Sequence, residues 1–126
     1  MESMDNYDDL PYIDVEEALV RLGNRKPLLQ KLLLSFIADP KCDEFLVALE
    51  SRDLQASVHA AHTVKGIAAN LSLPRLRGYM ATQELLFKQA IDQGDNTVFA
   101  KVDVEDFKAI VANTLAEAEK AGAELS

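Results

Sequence analysis

The chain is poor in the residues on which several protein classes depend. It has a single cysteine, Cys42, so no internal disulfide can form. It is read as inert, with no redox role expected. No apolar run approaches the roughly 20 residues that a bilayer-spanning helix requires, and no signal-peptide pattern opens the chain. The cytoplasm, away from membranes, is therefore the expected compartment. Basic residues are also scarce, 13 against 21 acidic, for a net charge of -8. Nucleic-acid binding needs a basic surface, so that class of partner is not expected. Neither a P-loop nor a kinase-type glycine loop is present, which argues against ATP binding.

What remains is a chain of 126 residues that is 48% apolar, enough for the core of one domain. Its apolar residues recur at helical spacing and nowhere alternate as in a strand. Asp14 is expected to cap a first short helix ending at Gly23, with Glu17 completing a capping box. Pro27 suits the first turn of a second helix running to Ala38, with Leu29, Leu32, Leu33 and Phe36 as its stripe. Asp39 and Pro40 break it. A third helix is expected over residues 43–51, using Phe45, Leu46 and Leu49, and Asp53 then caps a fourth. Ser72 is the expected cap of the fifth, with Pro74 in its first turn and Gly94 at its end. The last uses Phe107, Ile110, Val111 and Leu115 and starts either near Asn96 or at Asp103. The predicted architecture is all-α, an antiparallel up-and-down four-helix bundle with an additional short N-terminal helix. It occupies residues 13–126, behind a flexible acidic tail over residues 1–12. The initiator Met and that tail suggest a free-standing protein.

The fourth helix carries His62, Thr63, Val64, Lys65 and Gly66. Leu54, Val58, Ala61, Val64, Ala68 and Leu71 make its buried face, and His62 falls about 110° from the centre of that face, at its border. Lys65 and Gly66, three and four residues on, are the surface neighbours of His62. Glycine inside a helix costs about 1 kcal/mol relative to alanine, so Gly66 needs a reason. Close packing is one, but Gly66 points away from the buried face, which favours access by a partner. Charge marks the same place. Acids spread evenly would put about five in any thirty residues, yet residues 54–83 contain none and carry Lys65, Arg75 and Arg77. Such a patch suits a phosphoryl group or an acidic partner; alternatively, the segment is simply mostly buried. His59 and His62 are spaced as metal ligands can be, but no further ligands converge on them, so no metal site or other cofactor is expected.

The run from Ala61 to Gly66, followed by Asn70, Leu71, Pro74, Arg75 and Leu76, resembles the signature of histidine-containing phosphotransfer (HPt) domains of bacterial phosphorelays. Upstream, Ile13 to Glu16, Leu19, Leu22, Gly23 and residues 32–36 resemble the family's first two helices. Val64 departs from the usual Leu, Ser72 from a frequent Gly, and Gln83 from a common apolar residue. The resemblance implies that His62 is phosphorylated, with Lys65 and Gly66 in the family's lysine and glycine positions. A Glu or Gln of the next helix holds the imidazole in this family, here Glu84 or its neighbour Gln83. It further implies a phosphoryl carrier, not an enzyme, that exchanges the group with receiver domains of a hybrid sensor kinase and of a response regulator. Those partners would bring the Mg²⁺. A monomer is expected, with a docking face around His62, Gly66 and Ala69, including Val58, His59, Arg75 and Arg77. Two other classes stay open: an interaction module that binds such partners without accepting phosphate, and a ligand-binding helical bundle.

Overall fold

A computed structural model describes residues 7–125, and the described residues form helices and no strand. Six α-helices follow in order: α1 (Val15–Arg21), α2 (Lys26–Ala38), α3 (Cys42–Glu50), α4 (Leu54–Asn70), α5 (Pro74–Gln93) and α6 (Val104–Glu124). A 3-10 helix, Asn96–Lys101, precedes α6. The six α-helices correspond to the six helices expected along the chain, one more than a four-helix bundle with a single added helix would hold. Of the two expected starts of the last helix, α6 takes Asp103, and the stretch near Asn96 forms the separate 3-10 helix, which Asp95 opens.

Three aspartates start helices in the same way. The carboxylates of Asp14, Asp53 and Asp103 accept the backbone N–H of Glu17, Ala56 and Asp106, each at 3.0 Å. A cap of this kind is worth about 1 kcal/mol. The expected capping box at Asp14 is only half made. Its backbone N–H donates to the Ser72 carbonyl at 2.8 Å, which leaves Glu17 to pair with Arg21 at 3.3 Å. Ser72 does not cap α5 either. Its φ of 56° puts it in the left-handed turn that ends α4, so the cap falls to Leu73. That backbone conformation favours glycine, which accounts for the frequent glycine at this position in the resemblance.

Burial is centred on Leu29, Leu33 and Phe36 of α2, Phe45 of α3, Ala61, Val64 and Ala68 of α4, Leu76, Met80 and Phe87 of α5, and Phe107 of α6. Phe45 lies between Phe87 and Phe107 with its ring centroid 6.2 and 5.1 Å from theirs, within the range of favourable aromatic pairs. The buried face of α4 comprises Ser57, Ala60, Ala61, Val64 and Ala68, whereas Leu54 and Val58 are only half-buried. Ser57 tolerates burial because its hydroxyl donates to the Asp53 carbonyl at 2.8 Å. The face is thus rotated from the expected one, and His62 lies roughly 140° from its centre. The alanines let α5 approach closely, and α4 packs more extensively on α5 than on any other element. Cys42 is buried, and its thiol is pushed up to about 12 by that burial, with Asp43 adding to it. A thiol so far from ionising fits the inert reading.

Of the acidic tail expected over residues 1–12, residues 1–6 lie outside the described residues. The rest is docked on the body. The Tyr7 ring meets Tyr79 edge-on at 5.4 Å, and its hydroxyl donates to Asp106 at 3.3 Å. The Arg75 guanidinium donates to the Leu10 carbonyl at 2.7 Å and to the Tyr12 hydroxyl at 2.8 Å, and it lies over the Tyr12 ring.

Candidate functional site

Joined by the short connection over residues 71–73 and packed on each other along their length, α4 and α5 form a hairpin. Residues equally distant from the turn therefore face each other, which brings His62 of α4 to Glu84 of α5. His62 Nδ1 lies 3.0 Å from Glu84 Oε2. The two side chains meet at a boundary between protein and water, His62 being 66% exposed and Glu84 5%. Of the two expected holders of the imidazole, Glu84 is the one that meets the ring. Gln83 is one residue and about 100° of rotation away. It is turned into the body, where its Oε1 is buried without a hydrogen-bond partner. An amide at that apolar position leaves a polar atom unsatisfied, which costs about 1–3 kcal/mol.

Glu84 is the electrostatic centre of the site. Lys65 Nζ lies 2.6 Å from Oε1 and Lys88 Nζ 3.0 Å from Oε2. Burial pushes the Glu84 carboxyl up, but the hydrogen bonds of Lys65, Lys88 and His62 outweigh it and hold the group down at about 2. It is therefore a carboxylate at neutral pH, and a carboxylate only accepts. A neutral imidazole facing it must carry its hydrogen on Nδ1. The lone pair is then on Nε2, on the side of the ring away from Glu84. Glu84 with two ammonium groups leaves one positive charge in excess, which suits an incoming anion.

Gly66 lies one turn beyond His62 on the exposed side of α4, and a Cβ added there would meet nothing within 4 Å. The missing side chain thus relieves no internal crowding and leaves open surface beside the imidazole. Ala69 and Val58 are half-buried and His59 is exposed, all on α4. Arg77 is exposed near Ala69, where both line a shallow recess of about 250 Å³. Arg75 differs from its expected place at this face, since its guanidinium is taken up by Leu10 and Tyr12. No group of three metal-ligating side chains occurs among the described residues. No described helix is long and apolar enough to cross a membrane.

Lys88 escaped the sequence reasoning. The signal was present, because Glu84 and Lys88 stand at i and i+4, the favoured order for a helical ion pair. It carried no weight while the choice between Glu84 and Gln83 was open.

Comparison with curated proteins and with solved structures gives no match. A family model described as "Hpt domain" matches residues 16–121, which covers His62, Lys65, Gly66, Glu84 and Lys88. With the match extending over most of its length, the chain belongs to the Hpt family, the histidine phosphotransfer carriers of phosphorelays.

Proposed function

We propose that His62 accepts a phosphoryl group from the aspartate of one receiver domain and passes it to the aspartate of another. The observation that carries this reading is the buried Glu84 carboxylate 3.0 Å from His62 Nδ1, with the ring otherwise exposed. The Nε2 lone pair forms the N–P bond as the P–O bond of the acyl phosphate breaks, and that electron pair leaves on the donor carboxylate. The Nδ1 proton stays between ring and Glu84 throughout. Donation is the same step in reverse, with the second aspartate as nucleophile.

Phosphoryl transfer depends on positioning and on neutralising charge. The receiver supplies the acceptor aspartate and Mg²⁺; this chain supplies the histidine, with Lys65 to screen the phosphoryl charge. On this reading the protein is a cytoplasmic monomer of the bacterial type, built on the family's antiparallel four-helix arrangement. It is a carrier and not an enzyme. Its docking face comprises His62, Gly66 and Ala69 with Val58, His59 and Arg77 around them.

A two-receiver relay tests this. With one receiver phosphorylated and labelled, label should reach an unlabelled second receiver only when the carrier is added, and should not reach it with His62→Gln. Tight binding to both receivers without movement of label would instead identify an interaction module.

A further inference from the structure

Two ammonium groups converge on Glu84, and the reading above uses only one. They differ in origin and in the oxygen they touch. Lys65 comes from α4, one turn beyond His62, and forms an ion pair with Oε1 at 2.6 Å. Lys88 comes from α5, one turn beyond Glu84, and bonds Oε2 at 3.0 Å, the oxygen that also faces His62 Nδ1. Lys88 therefore fixes the oxygen that orients the ring, while Lys65 holds the other.

A phosphoryl group on Nε2 competes with Glu84 for a cation. Were one lysine alone present, its departure would leave a carboxylate that is 5% exposed with no cation beside it, and an uncompensated buried charge is strongly unfavourable. A second lysine removes that conflict. Lys65 is the one suited to move. It shares a helix face with His62, and the glycine beside it leaves open surface around the ring. Resting on the carrier reading, we propose that Lys88 is a positioning residue that stays on Glu84 and keeps it against Nδ1, while Lys65 transfers from Glu84 to the phosphoryl group.

The handover predicts a particular form of coupling. Without Lys88, Lys65 is pinned to Glu84 as its remaining ammonium and no longer screens the phosphoryl group. Removing Lys65 as well therefore shortens the phosphohistidine lifetime little more, while the labelling rate falls further because Glu84 is left without a cation. The wild type, Lys65→Ala, Lys88→Ala, the double variant, Lys88→Arg and Lys88→Met are each mixed with a phosphorylated receiver domain and Mg²⁺. Initial labelling rate and phosphohistidine lifetime are followed. Lys88 is 58% exposed, so its variants keep the fold, which circular dichroism checks. Expected is a loss of about threefold or more in rate or lifetime for each single alanine variant, with the phosphohistidine lifetime of the double variant within about twofold of the shorter-lived single. Lys88→Arg, which keeps the charge, should restore the wild-type rate to within about twofold, whereas Lys88→Met, which keeps the stem without the charge, should not. A fully active Lys88→Ala, or losses of lifetime that multiply in the double variant, overturns the proposal while leaving the carrier reading intact. A wild type that no receiver labels overturns both.

Discussion

Glu84 shows how one residue sets both chemistry and stability. In the unfolded chain its carboxyl ionises near 4.5, whereas in the fold it is held down at about 2. The folded state therefore binds the proton less readily, and the ionised form contributes stability that is complete above about pH 5 and lost as pH falls towards 2. Solvent screening by the exposed His62 and Lys88 makes about 3 kcal/mol an upper bound on that contribution. Urea unfolding of wild type and Glu84→Gln over this range should show the wild type more stable at pH 7 and the gap closing with acidification. A gap that does not change with pH would remove Glu84 as the titrating group. Gly66 makes the complementary case, as a residue whose absent side chain stabilises nothing. Gly66→Ala should raise stability by about 1 kcal/mol, and Gly66→Glu should stop labelling of His62 while circular dichroism stays unchanged. A Gly66→Glu variant labelled at the wild-type rate would take Gly66 out of the docking face. His62, Lys65 and Gly66 were legible in sequence because their relation is set within one helical turn. The choice of Glu84 over Gln83 was not, since it depends on how α5 is rotated against α4.

At the scale of the elements, the aspartate caps and the apolar stripes of α2, α3 and α6 could be read from sequence, because both follow from local chemistry. The failures have a common origin in backbone geometry imposed by neighbouring segments. Ser72 is a good cap by residue type, but its left-handed φ assigns it to the end of α4. The segment over residues 7–12 reads as a solvated acidic run, yet its attachment uses residues far along the chain, Arg75, Tyr79 and Asp106. Gly78 is the local sign of that attachment, because a Cβ there would stand 2.8 Å from the Tyr7 Cβ. Gly78→Ala should therefore loosen the segment. Limited proteolysis should cut before Tyr12 faster than in the wild type, with transfer through His62 retained. Unchanged cutting would mean that the segment shifts by a few tenths of an ångström and stays bound.

Across the whole molecule, acidic residues are kept out of the stretch that builds the α4–α5 hairpin face, and the one acid that reaches His62 is neutralised twice over. The sequence of α4 contributes small residues inward, which bring α5 close, and an imidazole outward, which is left accessible. Those two consequences of one helix place a ring nitrogen in water and its opposite nitrogen on a buried carboxylate. The overall charge of -8 is thus compatible with a local surface fit to receive an anion. The family and its helical character were legible because the motif and its frame span most of the chain; the relation of residues 7–12 to α5 and α6, and the second lysine, came only with the tertiary structure. The most direct test of the carrier assignment is the intact mass of the protein after incubation with a phosphorylated receiver domain and Mg²⁺. One acid-labile phosphoryl group on the wild type and none on His62→Gln is the predicted result. A His62→Gln variant that still takes up the group, or a folded wild type that takes up none from several active receivers, would contradict it.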